Sequence, residues 1–245
     1  MTKYINIKNL EKRYGKKSVL TNINLDIPID LPIVIGIVGK NGVGKSTLLK
    51  TISGILLSNE GEIFVSNLPC RDTYQYWAKK NIAYIQSGER GLKLKNTVRD
   101  NIIYYGLLKG TPEREILTNI DKYSSLMKLE HLLGRKCESL STGEKKKAQI
   151  MCGICSNVKI LILDEPSNGL DISSVAELEN IIHYIKNDQN RIVMVSSHDM
   201  TFIKNIATKY ILLNDNKVEM VESDKIEERY NGKDFIKDEE VFKYY

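Results

Sequence analysis

The run Gly39-Lys40-Asn41-Gly42-Val43-Gly44-Lys45-Ser46 places glycines where a chain must turn tightly, then a lysine and a hydroxyl. Gly39, Gly42 and Gly44 carry no side chain, so successive backbone N–H groups can turn inward on a polyphosphate. The apolar residues 33–38 lead into the run, and residues 47–52 follow with helical character. A helix beginning near Lys45 adds its positive end to the same anion. Lys45 can reach the β- and γ-phosphates as a point charge, Ser46 suits a Mg²⁺ ligand, and Thr47 offers a further hydrogen bond to phosphate. A strand before such a loop and a helix after it are the context this phosphate-binding motif requires. Binding is thereby accounted for; hydrolysis is not.

Hydrolysis needs acids placed beside that loop. Residues 159–164, Lys-Ile-Leu-Ile-Leu-Asp, read as a buried parallel strand that ends in Asp164 and Glu165. Side chains alternate along a strand, so the two carboxylates are expected to point in different directions and hold different roles. Asp164 suits the anchor of Mg²⁺ through water, Glu165 the group that polarises the attacking water, and Pro166 stops the strand. Residues 191–197 read as another strand, ending at His198, where open α/β sheets place their ligands. Its imidazole can bridge the γ-phosphate and the water near Glu165. Gln86, after residues 81–85, ends a further strand, and an amide there can coordinate Mg²⁺ or orient water. Each of these has a plainer reading when taken alone: solvated strand-end acids, a surface histidine, a loop glutamine.

The order of the parts is more specific than any one of them. The phosphate loop, Gln86, Leu140-Ser141-Thr142-Gly143-Glu144, Asp164-Glu165, Ser167-Asn168-Gly169-Leu170-Asp171 and His198 follow one another along the chain. This series resembles the ATP-binding subunit of ABC transporters, from about residue 4 to residue 221. The resemblance implies a P-loop NTPase: an α/β fold with a parallel sheet core, an antiparallel β layer and an inserted helical subdomain. It implies ATP and Mg²⁺ as ligands. It also implies that Ser141 and Gly143, at the start of a helix, cap the γ-phosphate of the opposite subunit, so that two chains sandwich two ATP molecules head to tail. Thr142 and Glu144 depart from the usual Leu-Ser-Gly-Gly-Gln, and Glu144 brings negative charge towards the nucleotide. Lys145, Lys146 and Lys147 read as a solvated helix face or as an offset to that charge. Tyr14, in Arg13-Tyr14-Gly15, matches the aromatic that stacks on adenine in this family, with a half-buried strand tyrosine as the plainer reading.

Composition bounds the rest. The chain has 245 residues, 36 Lys and Arg against 31 Asp and Glu, and a formal charge of +5. That excess suits nucleotide or an anionic membrane surface, and no direct nucleic-acid partner is expected. No apolar stretch approaches the roughly 18–20 residues that cross a bilayer, and the first residues hold no apolar leader core. The expectation from these absences is a cytoplasmic protein that cannot itself form a pore. The resemblance implies the rest: a place on the cytoplasmic face of the cell membrane, separate transmembrane permease subunits that form the pore, and a second ATPase subunit as partner in a homodimer. Cys152 and Cys155 have redox or metal-ligand spacing but fall in a largely apolar helix, so all four cysteines read as buried small hydrophobes.

Residues 1–30 and 61–66 read as short, mixed strands of the antiparallel layer. Residues 33–60 and 157–221 read as the parallel sheet with its helices, and about 90–155 as the helical insertion, hinged at Gln86. One ATPase domain is expected over residues 1–221, with a charged, short helical tail over 222–245. The segment from Gln86 through Gly110 looks most like the ATPases of drug, bacteriocin or polysaccharide exporters. A soluble ATPase of the same superfamily acting on ribosomes or DNA is the other reading; the first normally carries two cassettes, and the second a long coiled-coil insertion.

Overall fold

Hydrophobic residues on both faces of short strands, separated by helices, fold as a parallel sheet covered on both sides. The computed structural model describes residues 3–66, 71–88, 90–214 and 217–226, without the side chains of residues 71–73, 188 and 189. Strands β1 (Tyr4–Tyr14) and β2 (Lys17–Pro28) form a long hairpin. Then come β3 (Val34–Val38), α1 (Lys45–Ile52), β4 (Glu60–Val65), α2 (Arg71–Asn81) and β5 (Ile82–Ile85). Three helices follow: α3 (Val98–Leu108), α4 (Glu113–Leu126) and α5 (Thr142–Ile154). The chain closes with β6 (Ile160–Asp164), α6 (Ile172–Gln189), β7 (Ile192–Ser196), α7 (Met200–Ile206), β8 (Lys209–Asn214) and β9 (Lys217–Glu222).

Two sheets result. One is antiparallel, in the order β2-β1-β4, and the other runs β5-β6-β7-β3-β8-β9. The first five strands of the larger sheet are parallel, whereas β9 pairs antiparallel with β8. Residues 157–221 therefore do not all join the parallel sheet. Only two residues separate Asn214 from Lys217, too few for the crossover that a parallel partner needs. The antiparallel strands β1 and β2 are also longer than the short strands expected, at 11 and 12 residues. Strand β9 runs to Glu222, Ser223–Lys225 make one 3₁₀ turn, and the tail beyond residue 226 lies outside the described residues.

Alternation on the parallel strands divides the core in two. Ile35, Ile37, Ile160, Ile162, Ile192 and Met194 pack with Leu48, Leu49 and Ile52 of α1 between the two sheets. Leu161, Leu163, Val193 and Val195 face the other way, against α5, α6 and α7. Each fully buried side chain of this size contributes roughly 1.5–3 kcal/mol. Helix α2 was not anticipated from its polar sequence. Tyr74 on its inner face is buried and donates its hydroxyl to the Ile52 carbonyl at the end of α1.

Cys137, Cys152 and Cys155 are free and buried, as small hydrophobes would be; Cys70 lies outside the described residues. Burial raises all three thiol pKa values, that of Cys155 to about 12. Thiolate is the reactive form, so its fraction near pH 8 is reduced as well as its access. In a Cys70→Ser variant, iodoacetamide at pH 8 is expected to label no cysteine in the native protein and three after unfolding. Native labelling of Cys152 or Cys155, read by mass spectrometry, would contradict this packing.

Candidate functional site

The parallel strands deliver the site residues at one level. Ser196 pairs with Asp164 on one side and with Ile37 on the other, so the loops after β3, β6 and β7 leave the sheet side by side. The loop after β3 is the glycine-rich run. Gly42 and Gly44 have φ of 81° and 111°, a left-handed backbone that other residues adopt at a cost. At Gly39 a Cβ would lie 2.3 Å from the Leu213 carbonyl oxygen, so only glycine permits that approach to β8. Helix α1 has Gly44 as its N-cap, no capping side chain and no acid in its first turn. Its first N–H groups and dipole are therefore directed at the loop, an arrangement that favours an anion.

Lys45 is 7% exposed, and its Nζ donates to the carbonyl oxygens of Gly39 (2.7 Å) and Lys40 (3.2 Å). Burial lowers the pKa of this ammonium, while the charges of Glu165 and Asp164 pull it back up. Asn41 is exposed on the loop, and Thr47 is half-buried one residue beyond Ser46. Ser46 turns to the acids: its Oγ donates to Asp164 Oδ1 at 3.0 Å. Two further hydroxyls reach the same carboxylate, Ser196 Oγ to Oδ1 at 2.7 Å and Tyr84 OH to Oδ2 at 2.6 Å. Neither Ser196 nor Tyr84 was singled out from the sequence. The register could have found Ser196, because it sits directly opposite Asp164 on the neighbouring strand.

Backbone conformation, not strand alternation, separates Asp164 from Glu165. Strand β6 ends at Asp164, so alternation does not separate the two acids; a left-handed backbone at Glu165, φ 49°, does. For a residue with a Cβ this costs roughly 1–2 kcal/mol. The turn is held by the Glu165 N–H, which donates to Ser196 Oγ at 3.0 Å and to its carbonyl at 3.1 Å. Glu165 Oε2 meets His198 Nδ1 at 2.9 Å. The imidazole thus touches the carboxylate directly and is itself half exposed.

Other expected site residues stand apart. Gln86 follows β5 at the same end of the sheet, but its Nε2 lies 3.4 Å from the Cβ position of Gly91 and makes no bond to Ser46 or Asp164. Tyr14 is 50% exposed at the tip of the β1–β2 hairpin, with Lys12 Nζ 5.5 Å from its ring centroid. That hairpin packs on the phosphate loop through Val19 and Leu20, which approach Gly44. Ser141 and Gly143 open α5, with Ser141 exposed and no hydrogen bond to the glycine-rich loop of their own chain. Ser141 is the N-cap: its Oγ accepts from the Glu144 N–H (3.3 Å) and its own N–H donates to Glu144 Oε2 (2.8 Å). Glu144, with Arg135 at 3.6 Å, therefore spends its charge on the helix start, and the Ser141 N–H holds its carboxyl below the usual range.

The lysine run was misjudged at its centre. Lys147 pairs with Glu177, but Lys146 is only 4% exposed and donates to the carbonyls of Gln86 (3.3 Å) and Gly88 (3.4 Å). Between α5, α3, β5 and the end of α1 lies a groove of about 770 Å³. Apolar Ile55, Leu57 and Leu108 stand exposed beside Lys50, Lys79 and Lys109 on its walls.

The donor set at the strand ends is one carboxylate and a hydroxyl 3.0 Å apart, hard oxygen ligands that suit Mg²⁺ completed by phosphate oxygens and water. Among the described residues no cluster of three His, Cys, Asp or Glu side chains offers an alternative all-protein site.

Comparison with known proteins agrees with this geometry. The ABC transporter family model matches residues 20–168. The lantibiotic transport ATP-binding protein SrtF of Streptococcus pyogenes is 30% identical over 234 residues, covering 93% of this chain and 96% of its own. Among solved structures, cbiO1 of Clostridium perfringens, described as part of the ABC transporter complex cbiONQ, superposes with a TM-score of 0.77 at 25% identity, over 94% and 91% of the two chains. The ATP-binding cassette MJ0796, in a dimeric post-hydrolysis state with ADP and Pi, gives a TM-score of 0.76 at 22% identity, over 89% and 98%. The chain belongs to the ABC transporter family as its ATP-binding subunit, and it is an ATPase with the P-loop NTPase fold.

Tyr84→Phe removes one of three donors from the Asp164 carboxylate and nothing else. It is expected to leave metal-free ATP binding within about twofold and to raise the Mg²⁺ concentration for half-maximal hydrolysis about 3–10-fold, from a charge-assisted bond of about 1.5 kcal/mol or less realised there. An unchanged Mg²⁺ requirement would remove Tyr84 from the site.

Proposed function

We propose that two copies of this chain close head to tail on two ATP molecules, hydrolyse them with Mg²⁺, and drive a separate pair of membrane-embedded permease subunits. The observation that carries the reading is a division of labour. Lys45, Ser46, Asp164, Glu165 and His198 meet at the strand ends, while the exposed Ser141 and the half-buried Gly143 open a different element with no bond to them. A second copy can bring its own Ser141 and Gly143 to this loop, and MJ0796, described as dimeric with ADP and Pi, supports the pairing of two copies.

Within it the residues have distinct tasks. Lys45 exchanges the carbonyls of its loop for β- and γ-phosphate oxygens, and the α1 N-terminus supports the same charge. Bound Mg²⁺ would be held by Ser46 and, through water, Asp164, and would supply charge neutralisation on the phosphates. Glu165 orients the attacking water and accepts its proton, with His198 fixing the carboxylate. Tyr14 offers a stacking face to the base, and Gln86 joins the site once its loop moves inward.

The exposed apolar groove beside Gln86, walled by lysines, fits an amphipathic helix with acidic residues, as the cytoplasmic part of a permease would present. No helix among the described residues is long and apolar enough to cross a membrane, and the proposed location is the cytoplasmic face. Export is the favoured direction, supported by SrtF, whose name assigns it to lantibiotic transport. That relative and cbiO1 also favour a transporter over a ribosome- or DNA-acting ATPase.

Glu165→Gln keeps shape and hydrogen-bonding reach but removes the base. Its kcat is expected to fall about 10²–10⁴-fold while ATP binding survives, so the variant accumulates as an ATP-bound dimer in sedimentation velocity. Wild-type turnover in this variant would end the catalytic assignment.

A further inference from the structure

The loop after β5 is held by side chains from the inserted helices rather than left to water. Lys146 Nζ reaches the Gln86 and Gly88 carbonyls, Gln149 Nε2 reaches those of Gly88 (3.2 Å) and Arg90 (2.6 Å), and Tyr105 OH donates to that of Gly91. Two carbonyl acceptors fix which end of the Gln149 amide is the donor. Lys146 and Gln149 are three apart on α5, so they share one face of the helix that begins at the exposed N-cap Ser141 and the neighbouring Thr142 and Gly143.

Neither residue is what stability alone would place there. Lys146 is a buried ammonium whose bonds go to neutral carbonyls, and Asp164 favours its charge only at longer range. Burial brings its pKa down to about 8. Gln149 is 3% exposed, and its Oε1 is buried with no donor among the described residues. Apolar side chains of similar volume avoid both penalties. What they cannot do is grip a backbone loop.

We propose that Lys146 and Gln149 are positioning residues that clamp the Gln86 loop to α5, so that Gln86 and the partner-facing Ser141–Gly143 tip move as one body when ATP is bound. The inference rests on the head-to-tail reading above. It gives the chain a mechanical link between its own nucleotide and the γ-phosphate of its partner. A loop free of α5 could approach ATP without carrying Ser141 with it; a clamped loop cannot.

Two measurements test it, using Gln149→Leu and Lys146→Met, with Lys146→Arg as the variant that keeps a donor. In the nucleotide-free full chain, hydrogen exchange in residues 86–92 is expected to rise at least tenfold in Gln149→Leu, with residues 39–46 unchanged. In a Glu165→Gln background, either clamp variant is expected to need at least tenfold more ATP for half-maximal dimerisation, while monomer affinity for a fluorescent ATP analogue stays within twofold. Lys146→Arg should recover most of the loss. A folded Gln149→Leu with wild-type loop exchange, or with a wild-type dimerisation midpoint, overturns the clamp even if its melting temperature falls. Should Lys146→Met not fold, Gln149→Leu decides alone. If Glu165→Gln itself stays monomeric with ATP, the head-to-tail reading fails, and the clamp fails with it as a device for closure; the exchange arm then reports only whether the loop is tied to α5.

Discussion

The pairing of Ser196 with both Asp164 and Ile37 is the constraint on which the site depends. Parallel strands share a direction, so three of them ending at one level project three loops into one small volume. Glycine-rich backbone comes from the first, two carboxylates from the second and an imidazole from the third. A slip of one residue in β6 would turn Asp164 to the opposite face and exchange Ile160 and Ile162 for Leu161 and Leu163 in the wrong core. Burial on both faces makes that slip costly, so the same packing that stabilises the sheet also fixes the site geometry.

Charge is gathered there before any ligand is considered. A nearly buried ammonium, a nearly buried carboxylate with three hydroxyl donors and a second carboxylate on a left-handed backbone are concentrated at the ends of interior strands. Each is costly in isolation, and each is partly compensated by the others: the Asp164 and Glu165 charges support the Lys45 cation against burial. Stability and function are coupled here through preorganisation, since donors already fixed in place need little rearrangement as charge develops. The strain at Glu165 fits the tendency of such backbone to collect at functional sites.

The phosphate loop was legible because its demands fall on the backbone, and glycine spacing reports backbone directly. The position of Asp164 and Glu165 was legible because a buried apolar strand ending in two acids brings both carboxylates to the end of the sheet where the glycine-rich loop leaves it. Lys146 was not, because a run of three lysines reads as solvated and nothing local says that the middle one turns inward. Tyr84 and Ser196 were hidden for a different reason: a hydroxyl on a buried strand reveals its partner only once register is known. Glu144 was read as a charge facing the nucleotide, although Ser-x-x-Glu is also a helix-start pattern, and the structure uses it as one. The direction of β9 was implicit in a two-residue connection that length alone could have decoded.

In the proposed dimer each ATP is held by the phosphate loop of one chain and the Ser141–Gly143 tip of another. Two variants in a Glu165→Gln background test it directly: Lys45→Ala, which loses the loop contact, and Ser141→Arg, which fills the partner's phosphate site. Each alone should remain monomeric with ATP and Mg²⁺ in sedimentation velocity. Mixed, they can assemble one intact site from the Ser141→Arg chain's loop and the Lys45→Ala chain's tip. An ATP-dependent dimer is expected in the mixture only, with one ATP retained per dimer. A mixture that stays monomeric, or a Ser141→Arg chain that dimerises by itself on ATP, would contradict it.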